Sequence, residues 1–320
     1  MKKFVEKVCI FLGLMTTTAV TFVLVNVYIV GNQYSTNYQA SMIDKIARLE
    51  SIEGPKIILV GNSNIAFGID SQELEDAMGM PVVNLGLNVA LNNSFHEQMA
   101  TLNVGEGDIV VICHTNYDDD DTIGSASVAW ITLEKHWELW SVLREKDYLD
   151  MLVSAPRYLK ESTLLWLRHL GNQEIDSCYS RTAFNQYGDI SYRPDSDLDV
   201  YENMFRPGVV AVPEIGQACI DRLNQYIHDI EERGASIVVA GFPIPDGEYT
   251  PSPEDYEIFQ NSLNELLDCA FISNCRDYYF PYEYFYNTSL HLSEEGAKVR
   301  TRQLIQDLQR WMSQTLTVEE

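Results

Sequence analysis

From residue 56 onward, short unbroken apolar runs alternate with segments of helical periodicity. Lys56-Ile-Ile-Leu-Val60, Pro81-Val-Val-Asn84, Asp108-Ile-Val-Val-Ile-Cys113 and Ser236-Ile-Val-Val-Ala240 read as strands buried on both faces. A last strand is expected within Phe271–Tyr279. Helices are predicted at Ser71–Met78, entered through an Asp70/Glu73 capping box, and at Asn92–Leu102. Others are predicted at Ile215–Arg233, stopped by Gly234, at Glu254–Leu267, and from Glu294 to about Gln314 with Ser293 as cap. Strands alternating with helices predict an α/β fold, a parallel sheet covered by helices on both faces.

Two stretches depart from that rhythm. Residues 118–213 hold four of the five Trp (Trp130, Trp137, Trp140, Trp166) and amphipathic segments. They read as a helical insertion after the third strand, which either shapes a substrate site or packs an aromatic core of its own. At the other end, Lys2, Lys3 and Lys7 precede Val8–Val30, 23 residues without a charge. That is long enough to cross a bilayer, and no Ala-x-Ala-like site follows it, so a retained anchor is expected rather than a cleaved signal. The lysines place the N-terminus in the cytoplasm and the body outside. The expected organisation is a tail at 1–7, an anchor at 8–30, a stalk or lead-in helix at 31–54 (Met42, Ile43, Ile46, Leu49) and one domain at 55–320.

Charge narrows the partners. The 320 residues carry 47 Asp+Glu against 22 Lys+Arg, a net charge of −25. That acid excess argues against nucleic acid and against docking to an anionic lipid surface by charge. The 46% hydrophobic content is that of an ordinary globular protein. Of the six cysteines, Cys9 lies in the apolar segment, and Cys269 and Cys275 either pair in an oxidising compartment or remain isolated thiols. Asp118–Asp121 offers clustered oxygens for Ca²⁺, but without EF-hand spacing it reads better as a solvated acidic loop.

Two residues carry the candidate chemistry. Ser63, in Gly61-Asn-Ser-Asn64, sits on a tight turn at the carboxyl end of the first strand, where open α/β sheets bind ligands. Such a serine can present its hydroxyl while nearby backbone N–H groups stabilise an oxyanion. His291 lies just before the last helix and can approach the same sheet edge as an acid–base partner. His114 is a further residue able to face that pocket, and Gly241-Phe-Pro-Ile-Pro245 is placed to wall it. His96, His136, His169 and His228 read as surface or boundary residues. Arg300 and Arg302 read as surface ion-pair partners, with Arg300 also placed to support the active-site loop.

Together these segments resemble the SGNH (GDSL-type) hydrolase superfamily, in particular its membrane-anchored branch of DltD-like and alginate-acetylation-type proteins. The resemblance rests on Gly61-Asn62-Ser63, on Asn84-Leu85-Gly86, on Asn116 in His114-Thr-Asn-Tyr117, and on Asn287…His291. It spans about residues 56–118 and 213–311 and leaves the insertion uncovered. It implies a three-layer flavodoxin-like fold, with Ser63 as nucleophile, His291 as general base, and the Ser63 and Gly86 N–H groups with the Asn116 side chain as oxyanion hole. The family's acid, three or four residues before the histidine, is replaced here by Thr288 or Asn287. Asn287 can orient the imidazole but cannot supply charge. Another carboxylate substitutes, the enzyme works as a slow Ser–His dyad, or catalysis has been lost.

The resemblance implies an extracytoplasmic, single-pass membrane protein. Its activity would be transfer of an O-acyl group, acetyl first among them, to or from a cell-surface polysaccharide through an acyl-serine. A membrane acyltransferase of the MBOAT type is the implied partner, and no metal or organic cofactor is required. The alternative is a catalytically impaired accessory protein of the same fold, binding glycan or scaffolding an acylation complex.

Overall fold

The computed structural model describes residues 1–119, 123–173, 177–191 and 208–318. Its centre is a parallel sheet of five strands, β1 (Ile57–Val60), β2 (Val82–Asn84), β3 (Ile109–Ile112), β4 (Ser236–Val239) and β6 (Ala270–Phe271), in the order β2-β1-β3-β4-β6. Leu59 lies between Asn84 and Val111 in register, and Val111 beside Val238. Helices cover both faces, which is why the strands are unbroken apolar runs rather than alternating ones. On one face Ile58, Val60, Val110 and Ile112 pack with Ile220, Leu223 and Ile227 of α8 (Gln217–Glu231) and with Phe95 and Met99 of α5 (Asn93–Ala100). On the other, Ile57, Leu59 and Val111 meet Leu74 of α4 (Ser71–Met78) and Leu304 and Leu308 of α10 (Glu294–Val318). α9 (Pro253–Leu266) enters through a Ser252/Asp255 capping box.

The sheet order reverses direction between β1 and β3, and the crevice outside their carboxyl ends is where such sheets take ligands. The region expected to hold a final strand contributes two short ones. β6 joins the central sheet, while β7 (Tyr279–Phe280) pairs with β5 (Ile244–Pro245) beyond a 3-10 turn at Cys275–Tyr278. β8 (Phe285–Thr288) and β9 (His291–Leu292) then form an antiparallel hairpin ahead of α10.

The segment expected to be a stalk is part of the body. α2 (Ser41–Ser51) buries Met42, Ile46 and Leu49 in the main core, and its Lys45 is buried too, donating to the carbonyls of Asn84 and Gly188. Burial pushes that ammonium down to about 7. The 3.6-residue pattern at 42, 46 and 49 marked a buried face, and the polar residues around it hid that.

Among its described residues the insertion likewise packs no separate core. Trp130 of α6 (Ala126–Thr132) stacks on Tyr158 of α7 (Asp147–Arg168) at 4.8 Å, and both belong to the same cluster as the sheet residues. Beyond α7, Asp189 accepts from Ser71 and Asn84, tying the insertion to α4 and β2. The acidic loop is partly a cap: Asp119 Oδ1 accepts from the Ala218 and Cys219 N–H groups at the start of α8, while Asp120 and Asp121 lie outside the described residues.

α1 (Lys2–Tyr28) is long and apolar enough to cross a membrane. Cys269 and Cys275 stand as free thiols on either side of β6, whose extended backbone separates them. Burial pushes both up to about 12.

Candidate active site

β1 is followed by Gly61, where an added Cβ would lie 2.9 Å from the Cys113 carbonyl oxygen, so the turn into α3 (Ser63–Gly68) is open to glycine only. Asn62 caps that short helix. Its Oδ1 accepts from the Asn64 N–H and side-chain amide, and its Nδ2 donates to Thr115 Oγ1 at 2.7 Å after β3. Ser63 is thereby the first residue of α3, with its N–H among the leading groups that have no intrahelical acceptor. The turn is held from behind by Arg300 of α10, which donates to Asn64 O (2.7 Å), Asn64 Oδ1 (2.9 Å) and Gly241 O (3.2 Å).

Arg300 is 1% exposed, contrary to the surface pairing expected for it; Arg302 does pair at the surface, with Glu73. Only the Asp70 half of the predicted capping box forms, because the Asp70 N–H that Glu73 would have to accept from is donated to Thr301 Oγ1 at 2.8 Å. Burial lowers the pKa of the Arg300 guanidinium.

His291 opens β9, directly across the hairpin from Thr288. Thr288 Oγ1 accepts from the backbone N–H groups of Leu290 and His291, which fixes the turn and the ring's starting point. His291 Nε2 lies 2.8 Å from Ser63 Oγ, and Nδ1 lies 2.8 Å from Asn287 Oδ1. Two residues separated by 228 positions thus meet within hydrogen-bond reach. Phe67 of α3 stacks flat on the imidazole, ring centres 4.1 Å apart. Burial pushes the imidazole down to about 4, so it is neutral at pH 7, the form a general base requires.

Tyr179, from the insertion, completes the set. Asn287 Nδ2 donates to its hydroxyl at 2.7 Å, and that hydroxyl is 3.4 Å from His291 Nδ1. With the amide nitrogen engaged by the phenol, Asn287 Oδ1 faces the ring and accepts from Nδ1–H, leaving the Nε2 lone pair for the Ser63 hydroxyl. Among the described residues no carboxylate bonds to the ring. Tyr179 was not legible in the sequence, because nothing in the 118–213 pattern distinguishes it from its neighbouring aromatics.

The dyad borders a cavity of about 410 Å³ whose walls include Tyr38, Asn88, Val89, Tyr179 and Leu290, with Asn37 and Gln39 adding amides. Neither Gly86 nor Asn116 lines it. The Gly86 N–H is taken by Asn84 Oδ1 at 2.9 Å, and the exposed Asn116 side chain bonds Asn93 and Asp118. The oxyanion positions expected at Gly86 and Asn116 are therefore occupied by other bonds. Asn88, two residues beyond Gly86, does line the cavity, its Oδ1 held by the Ala90 N–H.

Gly86 has a packing role instead. A Cβ there would meet Ile65 Cγ1 at 2.6 Å, the Ala66 nitrogen at 2.7 Å and Asn84 Oδ1 at 2.9 Å. Gly86→Ala is expected to destabilise the protein by about 1–3 kcal/mol, an overpacking cost. Denaturant melts check this, and an unchanged midpoint would show that α3 yields freely.

The remaining histidines lie away from the hydroxyl. His114 turns from the cavity to Glu97, Nε2 to Oε1 2.8 Å, and Arg222 bonds the other oxygen. Although burial opposes it, Arg222 and His114 hold the Glu97 carboxyl below its ordinary pKa. His96 is fully buried rather than at the surface, and burial pushes it down to about 3. His136 pairs with Glu138 and His228 with Asp268, while His169 is the left-handed cap residue of α7. The Gly241–Pro245 segment does not line the cavity; it packs on Tyr278 and receives Arg300.

No family model, curated protein or solved structure matches this chain.

Proposed function

We propose that this chain is an SGNH-like serine O-acyltransferase or esterase, anchored by α1 and acting outside the cytoplasm on a cell-surface polysaccharide. The observation that carries the reading is the contact series Ser63 Oγ–His291 Nε2 and His291 Nδ1–Asn287 Oδ1, at 2.8 Å each, beside an open cavity at the carboxyl edge of β1 and β3. The sheet order and the site's place on it support the superfamily assignment.

In this reading Ser63 Oγ attacks the acyl carbonyl carbon as its proton passes to His291 Nε2. The tetrahedral oxyanion takes the Ser63 N–H and the Asn88 side-chain amide as donors. His291 returns the proton to the leaving oxygen or sulfur, and the acyl–Ser63 ester remains. A sugar hydroxyl or water then attacks that ester, losing its proton to Nε2; the bond to Ser63 Oγ breaks and His291 returns the proton to that oxygen, freeing the acylated sugar or the carboxylic acid and restoring the hydroxyl. The cavity walls carry amides, aromatic rings and aliphatic groups, with no acidic side chain among the described residues that line it in a chain of net charge −25. That lining suits an uncharged sugar and a short acyl group. An MBOAT-type membrane protein is the proposed source of the acyl group across the bilayer.

The test is covalent labelling of the full chain, in detergent, with a fluorophosphonate. The full chain is required because Asn26 and Val30, at the end of the anchor, are buried against the body. Labelling is expected in the wild type and its loss in both Ser63→Ala and His291→Ala. A folded wild type that resists the reagent favours the accessory reading.

A further inference from the structure

Helix α7 is apolar on two opposite sides. One side buries Met151 and Tyr158 in the main core. The other carries Leu149, Leu152, Val153, Pro156, Leu164 and Leu167, which recur at helical spacing along a single stripe. Leu149, Leu152, Val153 and Leu167 are 61–74% exposed. A surface helix of a water-bathed protein carries polar groups there, and contiguous exposed apolar groups mark an interaction surface.

What covers the stripe is indicated by α1. The last turns of α1 end on this same helix. Thr163 Oγ1 donates to Asn26 Oδ1 at 3.1 Å, and Val23, Val27 and Val30 face Tyr158 and Leu159 across a small apolar cavity. Thr163 lies at the edge of the leucine stripe, so the stripe begins where a bilayer-spanning helix would leave the hydrocarbon. Trp137, 49% exposed, borders the same cavity. A half-exposed tryptophan at that level matches the amphipathic belt of the membrane interface.

Charge agrees. Residues 135–170 hold six Lys+Arg against five Asp+Glu, whereas the whole chain holds 22 against 47. The surface beside the anchor is thus relieved of the acid that would be repelled by anionic headgroups. Lys160 sits within the stripe, where its long stem can lie along lipid while its ammonium reaches the headgroups.

We propose that the exposed stripe of α7, with Trp137, lies in the interfacial layer of the leaflet from which α1 emerges. The domain then has two membrane contacts, one spanning and one lying flat, and its orientation on the bilayer is fixed. The inference rests on α1 spanning the membrane and is independent of the ester chemistry.

The test uses the full chain on a Cys9→Ser background, reconstituted into phosphatidylcholine vesicles. Nitroxide labels are placed at Leu14→Cys in α1, at Leu152→Cys and Leu167→Cys in the stripe, and at Ile258→Cys, an exposed position on α9. Unsubstituted Cys9→Ser protein supplies the background. Collision with oxygen, which concentrates in lipid, is compared with collision with a water-soluble nickel chelate. Residues 14, 152 and 167 are expected to favour oxygen and residue 258 nickel. If 14 favours oxygen but 152 and 167 favour nickel, the stripe is in water and the inference fails while the anchor stands. If 152 and 167 are shielded from both reagents, protein covers the stripe and the lipid assignment fails. If 14 favours nickel, anchor and inference fail together.

Discussion

Asn287→Asp is expected to increase the rate of Ser63 acylation by roughly 10²–10⁴-fold; the upper figure is the cost of the reverse change in the serine-protease triad. The side chain already stands where an acid is needed, 2.8 Å from His291 Nδ1. What it lacks is charge to stabilise the imidazolium as the proton leaves Ser63. The substitution costs no hydrogen bond, because the Tyr179 hydroxyl that now accepts from Asn287 Nδ2 can donate to a carboxylate instead.

The pH dependence separates this effect from a general improvement in packing. His291 must be neutral to act as base, and burial holds its pKa near 4. Wild-type labelling should therefore rise through about pH 4 and stay flat above about pH 5. A carboxylate beside Nδ1 favours the charged ring, so the rising limb should move to higher pH in Asn287→Asp. Fluorophosphonate labelling rates from pH 3 to pH 9 check both points. An equal rate with an unmoved limb would show that Asn287 does not occupy the acid's electrostatic position.

The sheet and the Ser63–His291 pair were legible in the sequence for a single reason. Unbroken apolar runs bounded by charge identify strands buried on both faces, and parallel strands send all their carboxyl-end turns to one edge. Any serine and histidine on those turns are brought toward each other. The surroundings were less legible because they depend on side chains buried against expectation. Arg300, His96 and Lys45 occur in stretches of mixed polarity that read as surface, yet each is at most 2% exposed. Burial of a polar residue is decided by its partners from distant segments: Asn64 and Gly241 for Arg300, Asn84 and Gly188 for Lys45. The oxyanion positions failed for a related reason. The resemblance implied a free Gly86 N–H, but the Asn84 side chain turns back to take it.

Arg300→Met is expected to destabilise the fold by about 2–4 kcal/mol and to reduce labelling of the fraction that remains folded. The guanidinium is buried, and among the described residues no carboxylate pairs with it. Its charge is satisfied by the two oxygens of Asn64 and the carbonyl of Gly241. Methionine fills similar volume and removes the cost of burying a charge, but it leaves those acceptors unpaired. Each buried unsatisfied acceptor costs about 1–3 kcal/mol, and two are carbonyls that cannot turn away. For a protein of this size the loss corresponds to a melting point lower by roughly 3–6 °C. The site suffers as well, because Asn64 both follows the nucleophile and bonds the Asn62 cap that sets the turn. Arg300→Lys keeps the charge yet cannot span the three acceptors with one planar fork, so it should recover only part of the stability and part of the labelling. Melting in the same detergent, followed by labelling well below the lowest midpoint, measures both losses. If Arg300→Met melts within about 1 °C of wild type and labels equally fast, the turn holds itself and Arg300 is a passenger of the core.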